Sequence, residues 1–368
     1  MSEVLDLFTE LAVVPSPPGE ERAVADLVIG YLHDCGLTVD EDGCGPSIGS
    51  TMGNLFVRVP ATSPGEPLLL CAHLDTVPPT ASIAPVIEDG FVRNAAGTIL
   101  GADDKAAVAA MLEATRRILA ESRPHAGIEL LFTPKEEVGL VGAFAFDEQR
   151  LESRIGYVYD QAAPIGTVIT GAPHSQSLEV TFHGRAAHSG MHPDDGRSAI
   201  LAAARAIAEF RLGRVDEDST ANVGTITGGT ATNIVPEWCT FHAEARSHDE
   251  RKLADLVQEM QDAITFAASV AECDVETIAQ KSYRGYRFAK SDRAIALAAE
   301  ALARCGHEVV YERSGGAADA NVFNERGLQV VNLANGMIDI HTPDERIAVD
   351  DLDAMVDVTL ALVDGARG

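Results

Sequence analysis

The chain has 368 residues, with 28 basic and 56 acidic side chains and a formal net charge of −28. Hydrophobic residues make up 46% of it, the balance of a globular protein, and the length predicts about two domains. So large a negative charge argues against nucleic acids and anionic membranes as partners, because both are polyanions that a net-negative surface repels. Cations remain possible ligands, since carboxylates are what hard and borderline metal ions need.

The cysteines and the N-terminal segment predict a cytoplasmic protein. The 6 cysteines are scattered, and no pair has the spacing of a zinc knuckle or a redox motif, so we expect reduced thiols. The first residues are acidic and periodic, without the basic and apolar regions of a signal peptide. The most apolar stretches fall short of the ~20 residues that span a bilayer.

The first part of the chain alternates helices and strands. Apolar residues at helical spacing predict helices over 3–12 and 20–35, separated by the proline-rich breaker at 15–19. The sequence then predicts a helix that begins near Asp104 and strands over 53–59, 67–72, 128–133 and 155–159. Strands that alternate with helices predict a largely parallel sheet covered by helices.

Near residue 172 the pattern changes to that of an α+β module. Half-exposed strands are predicted over 177–183, 220–227 and 238–246, with helices over 196–211 and 249–270. This order predicts an inserted, ferredoxin-like domain over 173–283, between two parts of a first domain, 1–172 and 284–368. The final part predicts a helix over 292–305, a strand over 329–333 and a helix over 349–363.

Several predicted strands end in residues that can bind a metal, and ligands in open α/β sheets gather at those ends. His73 and Asp75 are two apart in an extended segment and therefore point to the same side, which suits a histidine ligand whose second ring nitrogen is held by a carboxylate. Asp103 and Asp104 stand at a strand-to-helix junction. For Asp104 we favour an ordinary helix N-cap.

Glu136 and Glu137 directly follow the apolar strand 128–133. Adjacent carboxylates are costly to bring together without a cation, and they can divide the work between metal binding and proton transfer. Asp160 closes another apolar strand, and His341 lies near the C-terminus. Together these side chains form a mixed nitrogen and oxygen set that suits zinc, with cobalt or manganese as alternatives. One carboxylate of the set can bridge two ions.

The motifs, taken in order, resemble the co-catalytic zinc metallopeptidases, the family that includes peptidase T, aminoacylase, glutamate carboxypeptidase, acetylornithine deacetylase and succinyl-diaminopimelate desuccinylase. They are His73-Leu74-Asp75-Thr76-Val77-Pro78, Gly101-Ala102-Asp103-Asp104-Lys105, Glu136-Glu137-Val138-Gly139, Asp160 and His341-Thr342-Pro343-Asp344-Glu345. The resemblance covers nearly the whole chain, and the residues of the second motif are most similar to those of peptidase T. It implies an α/β fold of the phosphorylase/hydrolase-like type, with a mixed, mostly parallel sheet and helices on both faces.

The resemblance also implies a metal-ligand set. By position, Asp103 is the carboxylate that bridges two zinc ions. His73 and Asp160 complete the first ion. Glu137 and His341 complete the second.

Further catalytic roles are implied in the same way. Asp75 orients the first histidine ligand, and Glu136 is the general base. His188, in Ala187-His188-Ser189-Gly190, matches a histidine that polarises the scissile carbonyl, often in the active site of the partner subunit. From the residues alone, it is an ordinary loop histidine near His183 and His192. The inserted domain is implied to serve as a lid and as the dimerisation domain of a homodimer.

The implied substrate contacts are Asn233, Arg246, Gly315 and Gly316. A guanidinium suits a substrate carboxylate, because it donates two parallel hydrogen bonds. The two glycines resemble a turn that receives the substrate.

The predicted function is that of a di-zinc metallopeptidase that hydrolyses short peptides, in the manner of an aminopeptidase or tripeptidase. An N-acyl-amino-acid deacylase or a carboxypeptidase on the same scaffold is one alternative, because specificity lies in pocket residues rather than in the fold. A non-catalytic metal-binding scaffold is another. A P-loop or dinucleotide enzyme is disfavoured, since neither GxxxxGK[ST] nor GxGxxG occurs.

Overall fold

The computed structural model of the protein describes residues 2–367, which form two compact units. The first unit combines the chain up to Ala172 with the chain from Arg287 onward, and the second is Pro173–Tyr286. Among the described residues, none of the helices is both long enough and apolar enough to cross a lipid bilayer.

The helices and strands are numbered here in chain order. The helices are α1 (Glu3–Ala12), α2 (Arg22–Asp34), α3 (Gly45–Ile48), α4 (Ala102–Ala120), α5 (Val141–Ala145), α6 (Ala199–Glu209), α7 (Glu250–Ala271), α8 (Arg293–Arg304), α9 (Asp319–Glu325) and α10 (Val349–Gly365). The strands are β1 (Asp40–Glu41), β2 (Leu55–Val59), β3 (Leu68–His73), β4 (Pro85–Glu88), β5 (Phe91–Asn94), β6 (Ile128–Thr133), β7 (Ile155–Gln161), β8 (Thr167–Ala172), β9 (His174–His183), β10 (Gly213–Arg214), β11 (Ser219–Gly228), β12 (Trp238–Ser247), β13 (Asp274–Tyr283), β14 (Tyr286–Arg287), β15 (Val310–Arg313), β16 (Gln329–Ala334) and β17 (Arg346–Ala348).

A mixed sheet forms the centre of the first unit. Within residues 2–367 it has nine strands in the order β1-β2-β6-β3-β7-β16-β8-β14, with β15 beside β8. The inner strands β6, β3, β7 and β16 are parallel, whereas β2 and β8 pair antiparallel to them. Strands β3 and β6 are buried along their whole length, as expected for parallel strands covered on both faces. The predicted mixed, mostly parallel sheet is confirmed.

Both faces of the central sheet are packed. Leu68 and Leu70 of β3 belong to the large core that also contains residues of α1, α4, α8 and α10. Alternate residues of a strand point to opposite faces, so the buried Leu69 points to the other side. On that side, Phe146 after α5 lies with its ring centroid 6.4 Å from that of Phe323 on α9.

The second unit is an antiparallel sheet with two helices. All of its residues are described, and its five strands lie in the order β10-β11-β12-β9-β13. Helices α6 and α7 pack together against this sheet and enclose a separate apolar core. The order β9-α6-β11-β12-α7-β13 is that of the predicted ferredoxin-like domain.

Several helices and strands were not predicted from the spacing of apolar residues. Strand β13 has only exposed and half-buried residues and lies at the edge of its sheet, so few of its side chains need to be apolar. Strand β8 falls where a domain boundary was expected, and α9 is only 7 residues long. Such short elements are held by tertiary packing rather than by their own periodicity.

Candidate metal centre

The candidate metal-binding side chains lie at the carboxyl edge of the central sheet. His73 is the last residue of β3, Asp160 is near the end of β7, and Glu136 and Glu137 follow β6. These three strands are parallel neighbours, so their ends meet at one edge, where ligands bind in open α/β sheets. These residues can therefore form one site although they are far apart in the sequence.

Asp103 lies between two histidines. Its Oδ1 is 3.3 Å from Nε2 of His73, and its Oδ2 is 3.1 Å from Nε2 of His341. The same His341 nitrogen is 3.0 Å from Oε1 of Glu137. Asp103 and His73 are buried, whereas the side chain of His341 is 44% exposed. Each oxygen of one carboxylate thus faces a different histidine, which is the placement that a bridging ligand requires.

Two groups of side chains have the spacing needed to hold a cation. The ligand atoms of His73, Glu136 and Asp160 lie within 4.8 Å of one another, and so do those of His73, Asp103 and Glu137. Imidazole nitrogen and carboxylate oxygen together form a donor set that suits zinc and related divalent ions. The residues present therefore fit a metal centre.

The charges of the cluster also fit a cation. Burial raises the pKa of Glu136 well above its usual range, and the nearby carboxylate of Asp160 raises it further. Burial likewise raises the pKa of Asp160, with repulsion from Asp103 adding to it. Hydrogen bonds to Asp103 and Glu137 raise the pKa of His341 to about 10. The shifts of Glu136 and Asp160 arise first from burial and then from neighbouring carboxylates, and a divalent cation would offset both effects.

The carboxylate of Asp75 holds the backbone that carries the two glutamates. Its Oδ1 accepts a hydrogen bond from the amide of Glu136 at 2.9 Å, and its Oδ2 accepts one from the amide of Glu137 at 3.1 Å. Nδ1 of His73 lies 2.8 Å from the backbone carbonyl oxygen of Asp75 and 3.6 Å from its carboxylate. The carbonyl is thus the nearer group to orient the imidazole ring, and backbone carbonyls serve this purpose at many metal sites.

The expectation that Asp104 is a helix N-cap is wrong. The N-cap of α4 is Gly101, and no side chain accepts a capping hydrogen bond there. Asp103 and Asp104 have non-helical backbone angles, and the peptide bond between them is cis. Asp104 is fully buried, and burial raises its pKa well above the usual range. The backbone amides of Ala102 and Asp103, which follow this N-cap, donate to the carboxylate of Glu345.

Two buried charged residues of the quoted motifs had no role assigned from the sequence. The carboxylate of Glu345 accepts hydrogen bonds from the backbone amides of residues 100–103. The ammonium group of Lys105 donates a hydrogen bond to the carbonyl oxygen of Val14 at 2.5 Å, and burial lowers its pKa to about 7. In the sequence, only the position of Glu345 and Lys105 within the quoted motifs pointed to a role for them. The burial of a single charged residue cannot be predicted from a periodic pattern.

The glycines predicted to receive the substrate lie just before α9. Among the described residues, a Cβ at Gly315 would meet no heavy atom within 4 Å beyond its chain neighbours, and one at Gly316 would meet only Oγ of Ser314, at 3.9 Å. Both positions therefore face open space. Asp319, which follows, is buried, and its Oδ2 accepts a hydrogen bond from Oγ1 of Thr133 at 2.5 Å. Burial raises its pKa to about 6.

The second unit brings two other predicted residues together. The segment with His188 pairs with the segment that contains Asn233: the amide of Ser189 donates to the carbonyl oxygen of Asn233 at 3.0 Å. The amide of Val235 donates to the carbonyl oxygen of Ala187 at 2.9 Å. His188 and Asn233 are thus neighbours, although 45 residues separate them in the chain.

The hydrogen bonds of His188 define its tautomer. Its Nδ1 accepts from the amides of Gly190 and Met191, each at 3.2 Å. An accepting nitrogen carries no proton, so in the neutral ring the proton is on Nε2. Arg246, on β12, forms an ion pair with Glu244 at 3.0 Å.

A mostly parallel sheet with a buried cluster of carboxylates and histidines at its carboxyl edge is the arrangement of a metal-binding hydrolase. The profile of peptidase family M20/M25/M40 matches residues 69–365, and the chain belongs to this family. The prediction of a hydrolytic enzyme of a peptidase family is confirmed.

Relatives that are similar over nearly the full length of the chain include the following proteins. YqjE of Bacillus subtilis (strain 168) is 35% identical over 363 residues, which are 99% of this chain and 98% of that protein. A crystal structure of aminopeptidase PepT from Bacillus cereus ATCC 10987 is 36% identical, with a TM-score of 0.89, and covers 100% of this chain and 98% of its own. A tripeptidase from Staphylococcus aureus subsp. aureus Mu50 is 34% identical, with a TM-score of 0.93 and the same coverage. The predicted resemblance to peptidase T is confirmed.

Replacing Asp75 with asparagine should destabilise the backbone conformation of the segment that contains Glu136 and Glu137. The amide group of asparagine would face one of the two backbone N–H donors, leaving that donor buried without an acceptor. We expect the free energy of unfolding of the metal-free protein to fall by about 1–3 kcal/mol, measured by urea denaturation. Asp353→Asn, at an exposed position of α10, is the control and should change little. Equal stability of the two variants would show that the Asp75 contacts do not hold this segment.

Proposed function

We propose that the protein is a metallopeptidase that holds two zinc ions and hydrolyses short peptides, as an aminopeptidase or tripeptidase. The observation that carries the proposal is the position of Asp103, with one oxygen facing His73 and the other facing His341. The two solved relatives described as an aminopeptidase and a tripeptidase support the substrate class. Short peptides are therefore the first substrates to test.

The proposed ligands divide between the two ions around Asp103. His73 and Asp160 would hold the first ion, Glu137 and His341 would hold the second, and Asp103 would be shared between them. Zinc is proposed because the set combines imidazole and carboxylate donors, with cobalt and manganese as alternatives. When bound, the ions supply Lewis acidity that lowers the pKa of a water molecule and polarises the substrate carbonyl.

Glu136 is proposed as the general base. It is 9% exposed and lies in one ligand group with His73 and Asp160, so its carboxylate is next to the place where water would be activated. There it accepts a proton from the attacking water and returns it to the leaving amine. Asp75 contributes by holding the amide of Glu136 in place.

His188 is proposed to stabilise the developing negative charge on the scissile carbonyl oxygen. Because Nδ1 accepts two backbone hydrogen bonds, Nε2–H is free to donate to that oxygen without a change of tautomer. Asn233, Arg246, Gly315 and Gly316 are proposed to contact the rest of the substrate. The pairing of the His188 and Asn233 segments supports a common role for these two residues.

The homodimer and the cytoplasmic location belong to the same proposal. The second unit is proposed as the lid and dimerisation domain, and its exposed apolar side chains, which include Met191, Trp238 and Phe266, support an interaction surface. The cysteines, all of them within the described residues, are free thiols, which supports a reducing compartment.

Metal analysis combined with a substrate panel tests the proposal. We expect two zinc equivalents per chain, loss of activity on chelation and recovery on adding zinc. In the panel, dipeptides and tripeptides with a free amino terminus should be cleaved at the first bond. Cleavage of N-acetyl-amino acids instead would favour a deacylase, and release of the C-terminal residue would favour a carboxypeptidase. Zinc binding without hydrolysis of any substrate would favour a non-catalytic scaffold.

Glu136→Gln should separate metal binding from turnover. Glutamine keeps the shape of the side chain but cannot accept the proton from water, so kcat for a tripeptide should fall about 10²–10⁴-fold. Zinc content, measured by atomic emission, should stay at the wild-type value. Glu300→Gln, at an exposed position of α8, is the control for loss of one acidic charge. Normal turnover by the Glu136 variant would refute its assignment as general base.

His188→Ala should lower kcat through loss of the proposed donor to the carbonyl oxygen. Removal of one such donor costs about 10²–10³-fold in kcat. His192→Ala is a matched control, because that histidine lies four residues further in the same loop and its side chain is 69% exposed. If both variants lose the same activity, or neither does, His188 has no specific role.

A further inference from the structure

Glu345 is a buried carboxylate that binds four consecutive backbone amides. Its Oε2 accepts hydrogen bonds from the amides of Leu100 and Gly101, at 2.8 and 2.9 Å. Its Oε1 accepts from the amides of Ala102 and Asp103, at 2.7 and 3.1 Å. The residue is 2% exposed. Successive amides that point at one anion form a nest, and here the anion is supplied by the chain itself.

The loop of residues 100–103 is not stabilised by hydrogen bonds within helix α4. The first amides of a helix have no partner within the helix, and Gly101 at the N-cap has a φ of 77°. Asp103 and Asp104 depart from helical backbone angles. Without an external acceptor, the amides on either side of Gly101 would be buried and unpaired, which is unfavourable. Glu345 supplies that acceptor.

Two residues of the short segment 341–345 contact Asp103, one at its side chain and one at its backbone. His341 faces the Oδ2 atom of Asp103 at 3.1 Å, while Glu345, four residues later, accepts from its backbone amide. We propose that Glu345 is a positioning residue, which fixes the 100–103 loop so that the two oxygens of Asp103 face both histidines. This inference rests on the proposed function, because it assigns to Glu345 the assembly of the metal centre.

Glu345 is not itself proposed as a metal ligand. Each of its oxygens already accepts two N–H donors, which occupies the lone pairs that a cation would need. Its effect therefore passes through Asp103. Residues that orient metal ligands in this way commonly contribute about 10- to 100-fold to metal affinity.

Glu345→Gln tests the proposal by two measurements on the full-length protein. Glutamine has one oxygen, so its NH₂ group would face two of the four backbone donors. We expect zinc affinity, measured by competition with a chelating dye, to fall about 10- to 100-fold. We also expect faster hydrogen–deuterium exchange in peptides that cover residues 100–103, with and without zinc. Asp344→Asn removes a neighbouring exposed charge and should change neither result.

Wild-type zinc affinity in a folded Gln variant, or unchanged exchange over residues 100–103, would overturn the positioning role. If that variant does not fold, Glu345→Asp is used in the same assays. Aspartate keeps both oxygens but is shorter, so a smaller loss of affinity and a smaller rise in exchange are expected, and wild-type values in both would overturn the role. Failure of the wild-type chain to bind zinc would instead contradict the proposed function, whereas the exchange measurement would still report on the loop.

Discussion

Repulsion between carboxylates at one edge of the central sheet is the constraint on which the rest of the site depends. Glu136 and Asp160 are brought together by neighbouring strand ends, and Asp103 lies beside them at the start of α4. Burial makes these charges costly. Two features offset this cost in the chain itself: imidazole groups lie between the carboxylates, and backbone amides bind acidic side chains around them. A divalent cation would complete this balance.

Backbone amides are the means by which the fold holds the cluster in place. Asp75 binds the amides of Glu136 and Glu137 after β6, and Glu345 binds the amides of residues 100–103. Both carboxylates bind the backbone of loops. Hydrogen bonds to a charged acceptor are stronger than neutral ones, and a loop bound at consecutive amides has few alternative conformations. The backbone that carries Asp103, Glu136 and Glu137 is thus held in one conformation by these hydrogen bonds.

Candidate metal ligands could be predicted from the sequence where they follow a recognisable apolar strand. His73, Glu136 and Asp160 were singled out because each lies at or just beyond the end of an apolar run, and the structure places all three at one edge. At Asp104, the local pattern of a helix start gave a wrong prediction, because the backbone there has non-helical angles. The roles assigned to residues of the second unit, and its part in dimerisation, stay predictions.

By itself, the sequence determined the fold class, because apolar runs report buried strands. It also determined the family, through motifs that resemble those of known members, and it predicted candidate metal ligands at the strand ends. Only the tertiary structure decided which atoms meet. Asp103 and His341 are 238 residues apart in the chain, and no local pattern reports that one oxygen of Asp103 faces each histidine. Nor does any periodicity reveal that Glu345 binds amides more than 240 residues away, since such a contact depends on where the chain returns in space.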